Sequence, residues 1–261
     1  MSRLPASIQA ALYLRCPRLI RDTEIRMSNV NIWCVVPAAG IGRRMDTERP
    51  KQYLDLCGRM VIEHTLDRLC AHPRIRGVCV ALSPEDAFWS RVRLSSPVPP
   101  RRCDGGAERH DSVTNALRAL RLDGAGPEEW VMVHDAVRPC IRRCDIDRLI
   151  RKAGSHPVGG VLGIPVRDTM KRVDRANDIR DTVSRDLLWH AFTPQMFRLG
   201  ALTSALERAT AEGVAVSDEA QAMERVGAHA RMVEGHADNI KITTPQDLVF
   251  AELCLRAQEE G

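Results

Sequence analysis

From residue 31 onward, short apolar runs alternate with stretches of helical spacing, and this alternation constrains the fold more than any other feature of the chain. Residues 31–36 (Asn-Ile-Trp-Cys-Val-Val) end at Pro37 and have the length of a strand buried on both faces. Residues 61–69 carry helical spacing, and residues 77–82 read as a second buried strand. Residues 112–120 read as a helix with Val113, Ala116, Leu117 and Leu120 along one face. Residues 130–134 form a third apolar run, 144–152 a third helix and 159–165 a fourth strand. Strands alternating with helices predict an α/β fold, with a mostly parallel twisted sheet and helices on both faces. Ligands in such sheets bind beyond the carboxyl ends of the strands. The residues that follow each strand are therefore the ones that carry function.

One segment breaks the rhythm. Residues 167–185 are rich in charge, and β-forming Thr169, Val173, Ile179, Thr182 and Val183 flank the turn-like sequence Asp174-Arg-Ala-Asn-Asp178. The pattern predicts a β-hairpin arm over about 166–186. Such an arm cannot bury a core of its own, so it reads either as a surface hairpin or as a contact with a second subunit. The tail returns to an αβα pattern and closes with a helix over 245–256.

The first strand runs directly into Pro37-Ala-Ala-Gly-Ile-Gly-Arg-Arg-Met45, with Lys51-Gln52 shortly after. Small residues at such a turn let backbone N–H groups approach a phosphate closely. Arg43, Arg44 and Lys51 add fixed positive charge beside them. A dinucleotide fingerprint would need a third glycine, but Gly40 and Gly42 are followed by Met45. A Walker-type loop is also missing. Asp135 ends the third strand, where a carboxylate can serve a metal, a substrate or a turn cap.

Composition narrows the remaining classes. The 261 residues are 44% apolar and 28% charged, a globular balance. A net charge of +4 with only 4% aromatics leaves no nucleic-acid footprint and no base-stacking platform, so no nucleic-acid partner is expected. No apolar run approaches the roughly 18 residues of a membrane span. The nine cysteines are scattered and odd in number, as in a reduced cytoplasmic protein. Cys140 and Cys144 give half of a zinc spacing, but no second pair or histidine cluster in the sequence completes it. Residues 1–26 read as a disordered extension upstream of a working start at Met27, or alternatively as a transit peptide; residues 27–258 form the domain.

Further segments carry a resemblance. Pro37–Gln52 is followed in order by Asp104-Gly-Gly-Ala-Glu-Arg-His-Asp-Ser112, His134-Asp-Ala-Val-Arg-Pro139, Pro165-Val-Arg-Asp-Thr-Met-Lys171, Leu188-Trp-His-Ala-Phe-Thr-Pro-Gln195, Ser217-Asp-Glu-Ala220 and Ala237-Asp-Asn-Ile-Lys241. Together they resemble the cytidylyltransferases that act on 2-C-methyl-D-erythritol 4-phosphate, over roughly residues 31–256. The resemblance implies a Rossmann-like nucleotidyltransferase fold, CTP as substrate, Mg²⁺ as divalent ion, and a cytoplasmic homodimer joined through the arm. It implies that Arg44 and Lys51 stabilise the reacting phosphorus, and that Ala38, Ala39, Gly40, Gly42, Gly105, Gly106 and Ser112 bind the nucleotide. Asp135 would bind nucleotide, substrate or metal. Arg138, Thr169, Arg185, Ser217 and Lys241 would hold the sugar phosphate, with Arg185 and Lys241 orienting it for attack. Arg185 and Ser217 would serve a neighbouring subunit's site. Ser217 stands where threonine is common in the family and keeps the hydroxyl. A ribitol 5-phosphate acceptor, a nicotinamide-dependent oxidoreductase and a non-catalytic nucleotide-binding regulator are the rival readings.

Overall fold

The computed structural model describes residues 32–40, 49–96 and 99–259. The expectations for residues 1–26, Gly42, Arg43 and Arg44 lie outside these described residues.

The first strand, β1 (Ile32–Pro37), lies inside a seven-stranded sheet. A small hairpin follows, β2 (Asp55–Leu56) and β3 (Arg59–Met60), then helix α1 (Val61–Cys70) and strand β4 (Ile75–Leu82). Next come β5 (Arg101–Asp104), α2 (Arg109–Leu122), β6 (Trp130–Val133), α3 (Arg143–Gly154) and β7 (Gly159–Pro165). The arm is the hairpin β8 (Met170–Val173) and β9 (Ile179–Val183). The chain ends through β10 (Trp189–Arg198), α4 (Leu199–Ala211), α5 (Glu219–Arg225), β11 (Arg231–Glu234) and α6 (Pro245–Glu259).

Strand order across the sheet is β11-β7-β10-β6-β1-β4-β5. All neighbours pair in parallel except β10, which runs antiparallel between β6 and β7. Side chains alternate between the two faces of the pleat. Val35, Cys79, Val131, Val133 and Val161 pack under Val113, Leu117 and Leu120 of α2 and Leu202 and Leu206 of α4. Gly160, on the other face of β7, faces Ala153 and Leu149 of α3 at distances that leave little room for a side chain. Both faces are therefore covered, as the alternation of elements predicts.

Two strands of the seven-stranded sheet do not show in the sequence pattern. β5 is the sheet's edge strand and its residues, Arg101-Arg102-Cys103-Asp104, are only half-buried at best, so it lacks the apolar run that marks its neighbours. β10 contains Pro194, and its pairing with β7 is interrupted between Ala191 and Gln195, so it lacks a clean strand pattern.

A second, smaller core of Leu56, Val61, Val137, Cys140, Ile242, Ala251 and Leu255 joins β2 and α6 to the segment after β6. It sets the approach of the site's residues. The Ile242 backbone N–H donates to Val137 O (2.9 Å), which brings the segment around Lys241 beside Asp135.

Candidate active site

Two cavities lie beyond the carboxyl ends of the central strands. The first, about 250 Å³, is lined by the turn after β1 (Ala38, Ala39, Gly40), by Lys51, and by Gly106 and Ser112. The second, about 160 Å³, is lined by Arg138, Phe192, Gln195 and Ser217 among others. Arg109, Asp135 and Lys241 belong to the walls of both.

The first cavity owes its shape to two loops that touch. Ala38 N–H donates to Ala81 O (2.8 Å), and buried Gln52 donates through Nε2 to Ala38 O (2.7 Å), which pins the turn after β1. A Cβ on Gly105 would fall 2.4 Å from the Ala39 Cβ, and one on Gly106 would fall 2.2 Å from the Asp111 Cβ. No side chain fits at either place. Ser112 is buried, accepts from Gly106 N–H (3.0 Å) and donates to Glu108 O (3.2 Å). Its hydroxyl thus fastens the glycine loop to the first turn of α2. That helix starts three residues earlier than the sequence pattern predicts, which carries Arg109 into the site.

Lys51 enters from the opposite side. Its Nζ donates to Ile242 O (3.3 Å), so the same residue that is bonded to Val137 also anchors Lys51.

Asp135 is the hub. Arg109 Nε donates to Oδ1 (3.0 Å), while Lys241 Nζ (2.9 Å) and Arg138 Nε (3.4 Å) both approach Oδ2. Burial works against the charge on this carboxylate, but Arg109, Lys241 and Arg138 outweigh it and hold Asp135 far below the usual carboxylate range. Arg109 is in turn gripped by buried Glu219 through two hydrogen bonds (2.6 and 3.2 Å). Burial alone would lower the Arg109 guanidinium, yet Glu219 and Asp135 raise it above its ordinary value. Arg138 is shifted down by burial; it donates to Asn239 O (2.7 Å) and lies over the Phe192 ring.

A further layer holds the hub. Thr193 Oγ1 accepts from Asp135 N–H (3.0 Å) and meets His134 Nδ1 at 3.1 Å. His134 Nε2 lies 3.1 Å from Arg138 O, and burial pushes this histidine down to about 4, a neutral ring.

The sequence-predicted residues are distributed as follows. Ala38, Ala39, Gly40, Lys51, Gly106, Ser112, Asp135 and Lys241 line the first cavity, and Gly105 packs behind it. Arg138 and Ser217 line the second. Ser217, expected to serve a neighbouring subunit, lines this cavity together with Asp135 and Lys241 of its own chain. Thr169 and Arg185 lie on the exposed arm and line neither cavity; Arg185 donates to Arg167 O. Asp135, also expected as a metal ligand, has Arg109 at one oxygen and Lys241 and Arg138 at the other.

A family model for 2-C-methyl-D-erythritol 4-phosphate cytidylyltransferase matches residues 32–257. The chain belongs to this family. Among its relatives, the 2-C-methyl-D-erythritol 4-phosphate cytidylyltransferase of Ectopseudomonas mendocina is 50% identical over 222 residues, covering 85% of this chain and 94% of the relative. That of Pseudomonas aeruginosa is 52% identical over 217 residues, covering 83% and 93%. The crystal structure of the Francisella tularensis family member is 35% identical, with a TM-score of 0.75 and coverage of 86% of this chain and 99% of that one. The crystal structure of the Thermus thermophilus family member is 31% identical, with a TM-score of 0.70 and coverage of 87% and 100%.

Sequence reasoning does not single out Arg109, Glu219, Gln52, Thr193 or Asn239 as site residues. All five stand inside the family-like segments, and that is the available signal. Each acts by holding another residue, so none has a chemical signature of its own.

Proposed function

We propose that this chain transfers the CMP unit of CTP to 2-C-methyl-D-erythritol 4-phosphate, giving 4-diphosphocytidyl-2-C-methyl-D-erythritol and pyrophosphate. Family membership over residues 32–257 supports the reaction. The observation that carries the assignment of roles is the Asp135–Lys241 pair in the wall common to both cavities. Two phosphorylated substrates in adjoining pockets need a fixed cation between them, because their charges repel.

CTP occupies the first cavity. The glycine loop lets the base approach the backbone, where carbonyls accept from the cytosine amino group. The N-terminal turn of α2 and Lys51 face the phosphates, where helix dipole and ammonium favour negative charge. The sugar phosphate occupies the second cavity, against Arg138, Ser217 and Lys241. Its phosphate oxygen forms a bond to the α-phosphorus as the bond to the β-phosphate oxygen breaks, and pyrophosphate leaves. The nucleophile is already ionised and needs no strong base. Lys51, Arg44 and Lys241 stabilise the charge on the non-bridging oxygens, so catalysis is chiefly positioning and electrostatics. Asp135 keeps Arg109, Arg138 and Lys241 in place before substrate arrives.

A divalent ion such as Mg²⁺ would neutralise phosphate charge in this chemistry, and the phosphates of CTP with water would suit its preference for oxygen ligands. The arm supports a homodimer: Val173, Ile179 and Leu187 are exposed on or beside it, and Arg185 and Thr169 then reach a second subunit's cavity. The enzyme works in the cytoplasm, a compartment that suits its free cysteines. Among the described residues no helix is long and apolar enough to cross a membrane.

The test is pyrophosphate release from CTP with two acceptors in parallel. Turnover with 2-C-methyl-D-erythritol 4-phosphate is expected. Preferential turnover of ribitol 5-phosphate would overturn the acceptor assignment.

A further inference from the structure

Away from the two cavities, three side chains of metal-binding type converge at the start of α3. Cys144 and Asp145 stand in its first turn, and His236 arrives from the loop after β11, 91 residues beyond Asp145. One donor atom from each lies within 4.8 Å of the others. Asp145 is fully buried and orients the histidine twice: His236 Nδ1 lies 2.8 Å from Oδ1, and the His236 backbone N–H donates to Oδ2 (3.0 Å). Arg148 Nη1 lies 3.5 Å from Oδ1 and donates to Glu234 O (2.6 Å). Cys144 is exposed and His236 half-buried, so an ion can enter from solvent.

The Asp145 carboxylate meets a ring nitrogen of His236 edge-on, so an ion that takes the place of the hydrogen shared between them finds both ligand atoms already turned toward it. A thiolate with an imidazole selects Zn²⁺ or its analogues over Mg²⁺ and Ca²⁺, which prefer oxygen. Ligand atoms about 2.0–2.3 Å from Zn²⁺ need only side-chain rotation from the observed spacing.

We propose that Cys144, Asp145 and His236 form a binding site for a zinc-class transition-metal ion, separate from the nucleotide's Mg²⁺. On binding, the Cys144 thiol releases its proton to solvent, the hydrogen between His236 Nδ1 and Asp145 Oδ1 moves to Nε2, and metal–ligand bonds form in their place; no electrons are transferred. Cys144 Sγ, a carboxylate oxygen of Asp145 and a ring nitrogen of His236 supply three positions, and water fills the rest. The site also has a structural reach. His236 begins the segment in which Asp238 pairs with Arg142 (2.6 Å), Asn239 O receives Arg138, and Lys241 meets Asp135. A bound ion ties the first turn of α3 to that segment.

The experiment uses the full chain, stripped of metal by chelation and titrated with Co²⁺ alone, reading thiolate-to-cobalt absorption. One equivalent per chain with a thiolate band is expected. Cys144→Ser should abolish the band, and His236→Ala, which removes a direct ligand, should weaken Co²⁺ binding by more than the roughly 10–100-fold that loss of an outer-shell partner costs. Cys57→Ser, a change at another exposed cysteine, should leave the band intact. Zn²⁺ should raise the melting temperature of the parent chain and not that of Cys144→Ser. Absence of a thiolate band in the parent chain, or its persistence in Cys144→Ser, overturns the site.

Discussion

Lys241 Nζ stands 2.9 Å from Asp135 Oδ2, in the wall that separates the two cavities. The pair is positioned by the main chain, since Ile242 N–H donates to Val137 O two residues beyond Asp135. A mobile lysine thereby becomes a fixed charge, with the ordering of its side chain settled before substrate binds.

Removing the hub should therefore cost both folding and function. Asp135→Asn leaves Arg109, Arg138 and Lys241 without their shared counter-charge. Breaking a buried ion pair from one side costs about 3–5 kcal/mol. Urea unfolding of the variant should show a midpoint lowered accordingly, and an unchanged midpoint would contradict the hub role.

Lys51→Ala and Arg44→Ala should separate chemistry from stability. Loss of one fixed donor to a developing oxyanion lowers kcat about 10²–10³-fold. Lys51 Nζ donates to the Ile242 carbonyl from a half-buried position at the cavity wall, so the melting temperature of Lys51→Ala should change little. Near-normal pyrophosphate release in either variant would refute its role.

The arm makes a prediction about mixtures. If Arg185 serves a second subunit, Arg185→Ala and Lys51→Ala chains that are inactive alone should recover turnover when co-refolded, because each mixed dimer holds one intact site. An arm acting on its own chain gives no recovery, since every site in the mixture then lacks one residue.

His134 should make stability depend on pH. Its folded value is lowered to about 4 against an ordinary 6.5, so between these values the unfolded chain binds the extra proton. Stability contributed by the neutral ring is complete above about pH 6.5 and falls as pH drops toward 4, by about 3 kcal/mol across the window. Asp135 contributes in the same direction at lower pH, because its depressed carboxyl must be protonated on unfolding below its unfolded value. Unfolding of His134→Asn, followed from pH 7 to pH 4.5, should show a shallower slope than the parent chain.

Gly106→Ala should raise KM for CTP, because the new methyl meets the Asp111 Cβ at 2.2 Å and shifts the loop against α2. Equal KM values in the two proteins would show that the loop's position is not critical.

Much of this molecule is legible in its sequence. The stretches 32–37, 77–82, 130–133 and 159–165 lie largely buried within their strands, so each needs an apolar run, and that run is visible without a structure. The segment after β1 sets small residues and cations together, which is the pattern expected of a phosphate site. The arm is readable because it departs from the rhythm around it.

Other features depend on what lies far away along the chain. β5 and β10 are strands because neighbours offer them unpaired backbone, and their own side chains do not declare it. Asp135 is visible as a carboxylate at a strand end, but its neutralisation by Arg109, Arg138 and Lys241 requires three separate segments to converge. The same holds for Cys144 and His236, which show no ligand spacing in sequence. Local pattern determines which backbone state a segment adopts, because hydrophobic periodicity is a short-range property. Electrostatic strength depends on distance and burial, and those are decided only when the packed core brings remote side chains to within a few ångströms.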